Sequence, residues 1–276
     1  MKNYHAHTQR CGHAWGTDEE FVQAAIDEGY TTLGFSEHSP WPFADGYQEI
    51  DTRQRIPLEN LEQYLADMQA LKEKYKNQIE IFCGLEYELF SDVQADEFDY
   101  LIGSVHYLEI DGEKVGFDKG VEEVKNFVNT HFNGDGLKFA QKYFDTMLLL
   151  PKKRNFDILG HFDLLIKTNE QNGFIDTSSK EYLNYGYEAI RSLKGKIPFF
   201  EVNTGAIARG YKTIPYPQIE FLKEFKNCGF GAVITSDCHD KNFIDCYYKE
   251  ARDMLIEACF KTLWILTSNG FKEVKI

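Results

Sequence analysis

No two cysteines in this chain are spaced as CxxC. The six it has, at positions 11, 83, 228, 238, 246 and 259, are scattered through 276 residues rather than crowded into a small disulfide scaffold, so reduced thiols are expected. No run approaches the about 18 apolar residues that span a bilayer. Met1 is followed by Lys2, Asn3, Tyr4 and His5 with no apolar signal segment, which points to a cytoplasmic protein without a membrane partner. Positive charge is scarce too: 30 Lys and Arg against 44 Asp and Glu give a net charge of −14. That balance repels a polyanion unless a local cationic centre reverses the field, so no nucleic-acid partner is expected. Ser/Gly-rich linkers, low-complexity tracts and internal repeats are missing as well. Residues 1–276 therefore read as one domain, a length that a single α/β barrel commonly fills. With 43% hydrophobic and 15% aromatic residues, there is ample apolar surface for a core. Nothing in the sequence bears on oligomeric state.

What is present alternates strand with helix. Strand-like runs occur at residues 2–7, 31–38, 79–88, 98–107, 155–163, 197–203 and 230–239. Thr17 with Glu20 three residues on forms a capping box that opens a helix to about Glu28, and Gly29 closes it. Leu58, Leu61, Leu65, Met68, Leu71 and Tyr75 recur at spacings of three and four and predict the next helix. Further helices are expected over 121–129, 137–150, 179–193 and 216–226. Such alternation argues for parallel βαβ units closing into a barrel. Asp111-Gly112 within 108–117 marks a hairpin excursion, and a Pro-, Gly- and Asp-containing loop covers 39–57.

The polar residues fall at one place on this map. His5 and His7 end the first strand and His13 lies just past it. His38 ends the second, Glu86 lies near the end of the third, His106 ends the fourth, His161 follows the fifth, and Asp237 and His239 end the last. Carboxyl ends of parallel barrel strands share one face, where barrel enzymes do their chemistry. Residues i and i+2 on a strand point to one side, so His5 with His7, and Asp237 with His239, can each present two ligands to one centre. Imidazole and carboxylate together suit Zn, Mn or Fe(II). Singly, each residue also has an ordinary structural role, such as a solvated histidine or a capping carboxylate; it is the joint placement that indicates metal. His131, in a helix-to-loop region, stands apart and reads as an ordinary histidine. Cys11 and Cys238 abut ligands and read as packing beside them.

The segments "HAHTQRCGH", "FSEHS", "GLEYE", "GSVHY", "LGHFD" and "TSDCH" resemble, in order and spacing along almost the whole chain, the PHP family of polymerases and histidinol phosphatases. The loop with Pro40, Arg53 and Arg55, the helix ending "LKEKY" and the later "FEVNTGAIARG" resemble in particular the histidinol-phosphate phosphatases of that family. The resemblance implies a distorted (β/α)7 barrel holding three divalent metal ions (Zn, Mn or Fe). One ion would take His5, His7, Glu86 and Asp237. The second would share Glu86 and take His106 and His161, and the third would take His13, His38 and His239. Many members carry Asp where this chain has His13. The implied reaction is hydrolysis of a small-molecule phosphate monoester, L-histidinol phosphate, by in-line attack of a metal-bridging hydroxide. Three dications against two ligand carboxylates leave a local excess of about four positive charges, which attracts a phosphate dianion. Asp237 and His239 are candidates for proton handling. Arg209 is the leading candidate for a phosphate clamp, with Arg53, Arg55 and Lys167 behind it. Neither a Cys-x5-Arg nor a DxDx motif is read as a nucleophile site, so no covalent phosphoenzyme is expected.

Other readings use the same ligands. PHP exonucleases cleave phosphodiesters, but the net charge and the lack of a basic stripe count against that here. PHP protein-tyrosine phosphatases need an open mouth, which the 39–57 loop and the 108–117 excursion would narrow. A non-catalytic metal protein would lack a clamp such as Arg209. An amidohydrolase-like barrel commonly bridges its metals with a carbamylated lysine, whereas here Glu86 can bridge and no Lys lies at the matching strand end.

Overall fold

The computed structural model describes residues 1–42, 55–245 and 247–276. Along the chain run β1 (Lys2–Asn3), α1 (Asp18–Asp27), β2 (Thr32–His38), α2 (Leu61–Tyr75), β3 (Glu80–Glu88), β4 (Tyr100–Ser104), β5 (Tyr107–Ile110) and β6 (Glu113–Gly116). They are followed by α3 (Val121–Phe132), α4 (Gly136–Met147), α5 (Leu150–Lys153), β7 (Ile158–Leu159), α6 (Asn169–Asn172), α7 (Lys180–Leu193), β8 (Phe199–Asn203) and α8 (Gly205–Ala208). The chain ends with α9 (Ile219–Cys228), β9 (Gly231–Thr235), α10 (Tyr248–Glu257), β10 (Thr262–Thr267) and β11 (Gly270–Lys275). None of the described helices is long and apolar enough to cross a membrane.

Local chemistry sets several boundaries where the sequence places them. Thr17 accepts from the Glu20 backbone N–H, and the Glu20 carboxylate accepts from the Thr17 N–H, so two orphan donors of α1 are satisfied. Asp111 and Gly112, at φ of 52° and 87°, supply the left-handed turn that joins β5 to β6. The helix expected from Leu58 starts at Leu61 instead. Leu58 lies on a preceding turn at 63% exposure, and Tyr64 rather than Leu65 is fully buried, its hydroxyl donating to the Gly84 carbonyl at 3.1 Å.

The strands form one parallel sheet in the order β1-β2-β3-β4-β7-β8-β9. The two edges meet where the His7 N–H donates to the Cys238 carbonyl at 2.8 Å and the Cys238 N–H to the His5 carbonyl at 3.2 Å. The result is a seven-stranded barrel, distorted because β1 and β7 contribute only two residues each.

Alternation along each strand sorts side chains between interior and helices. Leu33, Phe35, Leu85, Phe200, Val202, Ala232 and Ile234 join the outer core beneath the helices, whereas Phe82, Tyr100, Ile102, Phe199 and Val233 pack together inside the barrel. Gly34 and Gly84 admit the Tyr100 ring, which a Cβ at either position would meet at 2.4 and 2.3 Å. Two residues further along the same inward rows stand Glu86, Ser104, Glu201 and Thr235. The barrel is thus apolar at its amino-terminal end and polar at its carboxyl-terminal end.

The last 35 or so residues hold elements not expected from the sequence. Helix α10 is followed by the β10–β11 hairpin, which seals the apolar end: Leu266 packs with Tyr4, Phe82 and Ile158, and its N–H donates to the Tyr4 hydroxyl at 2.9 Å. Without that plug, the inward aromatic residues would face water.

Candidate metal centre

The proposed ligands arrive at or beyond the carboxyl ends of β1, β2, β3, β4, β7 and β9, and the barrel brings them together above the apolar layer. Glu86, buried on β3, is the hub. Its Oε2 lies 2.7 Å from His38 Nδ1 and 3.4 Å from both His5 Nε2 and His7 Nε2, while its Oε1 lies 2.8 Å from His161 Nε2 and 3.3 Å from His106 Nε2. Asp237 Oδ1 stands 3.6 Å from His5 Nε2 and 3.3 Å from His7 Nε2. Asp237 holds a left-handed φ of 44°, as suits a carboxylate turned inward just past β9.

His13, His38 and His239 draw together beside this hub. Ring centroids are 4.7 Å apart for His13 and His239 and 5.3 Å for His13 and His38, and His7 stacks on both His38 and His239 at 4.1 and 4.3 Å. At ligand distance the partners are arranged more finely: His7, His38 and His239 make one group, and His13 joins His239 and Cys11 in another. Cys11, set aside on sequence spacing, therefore stands within reach of ligand atoms, held by a hydrogen bond from its thiol to the Thr8 carbonyl. His131 sits on α3 beside Phe127, outside the cluster.

Whether these side chains fit divalent cations can be judged from their orphaned atoms. His5 Nε2, His7 Nε2 and His239 Nε2 are buried without a hydrogen-bond partner. Unpaired buried polar atoms cost about 1–3 kcal/mol each, so three of them converging in one place are a destabilised arrangement for protein alone and a prepared one for cations. The donor set, imidazole with carboxylate, matches Zn, Mn or Fe(II).

The carboxylates behind the histidines were missed in the sequence. Glu201 on β8 accepts from His5 Nδ1 at 2.8 Å, the His161 backbone N–H at 2.6 Å, the Asn203 amide at 2.8 Å and the Thr235 hydroxyl at 2.8 Å. Glu88 accepts from His106 Nδ1 at 3.0 Å and from its backbone N–H at 2.9 Å. That second bond draws His106 out of the sheet, so β4 ends at Ser104 and not at His106. Both acids keep a proton on Nδ1, which leaves Nε2 free to ligate. Period two was the available signal, since Glu88 follows Glu86 by two and Glu201 faces inward on its strand.

Charge is mutually compensated. Burial pushes His5 down, but Glu201, Asp237 and Glu86 outweigh it and hold its pKa well above the usual range. His106 is raised likewise, against burial, by Glu86 and Glu88. Burial would raise Glu86 and Asp237, yet His38, His106 and His5 hold the first well below the carboxylate range, and Arg209, His5 and His7 the second. Burial and neighbouring cationic groups keep His7 and His239 neutral. The field that retains protons on His5 and His106 is the same field that favours a dication.

The proposed substrate groups fare differently. Arg209, which caps α8, donates from Nη2 to Asp237 Oδ2 at 3.0 Å and places Nη1 2.9 Å from His239 Nδ1. His239 Nδ1 also lies 3.0 Å from the Asp237 carbonyl; it cannot accept from Arg209 and donate to that carbonyl at once. Lys167 is buried in an ion pair with Asp118 and lies over the Tyr211 ring, so it is not a solvated surface charge. The Arg55 guanidinium lies 4.4 Å from the Trp41 ring centroid. Arg53 lies outside the described residues, as does most of the 39–57 loop.

Cysteine-based phosphatases use a Cys-x5-Arg spacing, and Cys246 with Arg252 has it. Arg252 is exposed on α10, and the intervening Ala251 N–H is given to the Tyr247 carbonyl at 3.1 Å. The residues leading to Arg252 are thus already helical from Tyr248. Cys246 lies outside the described residues.

The PHP domain model matches residues 3–205, a span holding seven of the nine proposed ligands. The chain belongs to the PHP domain family. Among its relatives, the "Probable histidinol-phosphatase" of Deinococcus radiodurans is 28% identical over 262 residues, covering 91% of this chain and 92% of that protein. The protein of the same name from Schizosaccharomyces pombe is 26% identical over 273 residues, covering 91% and 84%. The crystal structure of histidinol phosphate phosphatase from Lactococcus lactis, complexed with zinc, L-histidinol and phosphate, superposes with a TM-score of 0.72 at 20% identity and covers 98% of each chain. The PHP fold is therefore this chain's fold, a distorted (β/α)7 barrel as the resemblance implied.

Proposed function

We propose that this PHP protein is a metal-dependent phosphomonoesterase that hydrolyses L-histidinol phosphate to L-histidinol and phosphate in histidine biosynthesis, acting as a single domain in the cytoplasm. The observation that carries it is the convergence of orphaned imidazole nitrogens on Glu86 and Asp237 at the carboxyl-terminal end of the barrel. The names of the two relatives, which this chain covers over most of their length, support the substrate.

In this reading His5, His7, Glu86 and Asp237 hold one divalent ion, Glu86, His106 and His161 a second, and His13, His38 and His239 a third. Zinc is the first candidate, being the ion bound by the Lactococcus protein, and manganese and iron(II) suit the same ligands. Such ions supply Lewis-acid stabilisation of phosphoryl charge and a water-derived nucleophile at neutral pH.

The protein's own groups do the rest. Glu201 and Glu88 set the tautomer and aim of His5 and His106. When His239 Nε2 is used as a ligand, its Nδ1 carries the proton and donates to the Asp237 carbonyl, which releases Arg209 Nη1 from the imidazole. The guanidinium is then free to bind two phosphate oxygens, a role its planar fork suits.

Phosphate release is to be measured with the metal-analysed protein on L-histidinol phosphate, p-nitrophenyl phosphate, a phosphotyrosine peptide and single-stranded DNA. A kcat/KM for histidinol phosphate at least about a hundredfold above the others, abolished by chelator, is expected. Preference for the peptide or DNA would overturn the substrate; no ester turnover with metal bound would overturn the activity.

A further inference from the structure

Two aromatic side chains stand exposed directly beside the metal-ligand cluster. Trp15 is 71% and Phe243 47% exposed, although large aromatic residues usually bury most of their surface. They line one cleft of about 230 Å³ together with His13, Arg209, Asp237 and His239. Its floor is thus made of proposed ligands and the phosphate clamp, and its rim is aromatic.

The rim is held in place by its backbone. The Trp15 N–H donates to the His239 carbonyl at 2.7 Å, the Lys241 N–H to the Trp15 carbonyl at 3.3 Å, and the Phe243 N–H to the Asp240 carbonyl at 2.9 Å. Both rings therefore hang from segments tied to the ligand-bearing end of β9, so displaying them costs little further ordering on binding.

Size narrows the occupant. The cleft is smaller than the ~300–1,000 Å³ of pockets for drug-sized ligands, which suits one small ring. A second crevice at the cluster, between His38, Trp41, His106 and Asp118, has about 40 Å³, little more than the ~30 Å³ share of one water. The rim narrows it again, because the indole face of Trp15 and Asp240 border the cleft and suit an aromatic ring that can carry positive charge.

We infer that Trp15 and Phe243 are specificity-determining residues that flank the imidazole ring of the leaving group while its phosphate lies over Arg209 and the metal ligands. The inference rests on the proposed phosphomonoesterase reading, and its test separates the two. Metal-loaded wild type, Trp15→Ala, Trp15→Phe and Phe243→Ala are compared on L-histidinol phosphate and on L-alaninol phosphate, the same amino alcohol ester without the ring. The kcat/KM ratio between the two esters is expected to fall about tenfold in each alanine variant, mainly through KM, and to be largely retained in Trp15→Phe.

In parallel, L-histidinol is titrated against the tryptophan fluorescence of the metal-loaded proteins. Wild type is expected to be quenched and Trp15→Phe, which keeps Trp41 and Trp264, is not. A ratio that moves less than about twofold in both alanine variants, an equal loss on both esters, or quenching that survives Trp15→Phe overturns the inference. If neither ester is hydrolysed while the Trp15-dependent quenching is present, the phosphatase reading falls and the ring site stands.

Discussion

Replacing Glu201 by Gln tests the idea that a buried acid behind the ligands prepares this site for metal. The four groups that Glu201 accepts from are divided between its oxygens: the His161 N–H and the Asn203 amide on Oε1, His5 Nδ1 and the Thr235 hydroxyl on Oε2. A backbone N–H cannot become an acceptor, so the single carbonyl oxygen of Gln must face His161. Its NH2 then faces Thr235, whose hydroxyl can turn to accept, and His5 Nδ1. His5 can accept only by moving its proton to Nε2, the atom that would otherwise ligate. The metal-free fold keeps nearly all its hydrogen bonds, and metal binding loses a ligand. Loss of such an orienting group costs about 10–100-fold in metal affinity, or about 1.4–2.8 kcal/mol. Competition with a chromophoric chelator reads the affinity, and thermal melts of the metal-free proteins read the fold. The expected result is weakened metal binding with a metal-free Tm within about 4 °C of wild type. A Glu201→Gln protein that holds its metals within about threefold of wild-type affinity would refute the tautomer argument.

Three further perturbations probe other parts of the structure. Arg209→Ala should raise the inhibition constant for inorganic phosphate at least tenfold, since charged hydrogen bonds are worth about 1.5–3 kcal/mol each; an unchanged constant excludes Arg209 from the phosphate site. In Gly205→Ala the new Cβ would meet the Asp237 Cβ and carbonyl oxygen at 2.8 Å and the Ser236 carbonyl at 2.9 Å. All are too rigid to yield, so a loss of about 1–3 kcal/mol in stability and a lower metal stoichiometry by elemental analysis are expected. Burial lifts the Asp163 carboxyl from an ordinary 3.8 to about 6, against the pull of Lys212 and the Gln218 N–H. Folding therefore favours its protonated form, and that contribution is complete below about pH 3.8 and lost as pH rises through about 6. The loss approaches about 3 kcal/mol, so Asp163→Asn should flatten the fall in denaturant-derived stability between pH 4 and 7.5; an unchanged slope would remove Asp163 as its source.

Much of the site could be read before any coordinates. A ligand's place at a strand end depends on period-two geometry and on the parallel order of the strands, and both are local or nearly so. Hence His5, His7, His38, Glu86, His106, His161, Asp237 and His239 were all placed on one face, and the Thr17 capping box and the Asp111-Gly112 turn came out as expected. Where local rules met a tertiary competitor they gave way. Glu88 pulls His106 from the end of β4, and Lys167, which reads as a surface charge or phosphate ligand, is paired with Asp118.

The sequence by itself determined the alternation of strand and helix, the residue types at the strand ends and therefore the proposed metal chemistry, because each depends on neighbours a few residues away. Only the tertiary structure decided which acid orients which imidazole, how the Leu266 hairpin seals the apolar end, and that Trp15 and Phe243 share a cleft with Arg209. Those relations join residues from 18 to 262 positions apart, such as Glu88 with His106 and Tyr4 with Leu266. They exist only once the barrel has closed between His7 and Cys238.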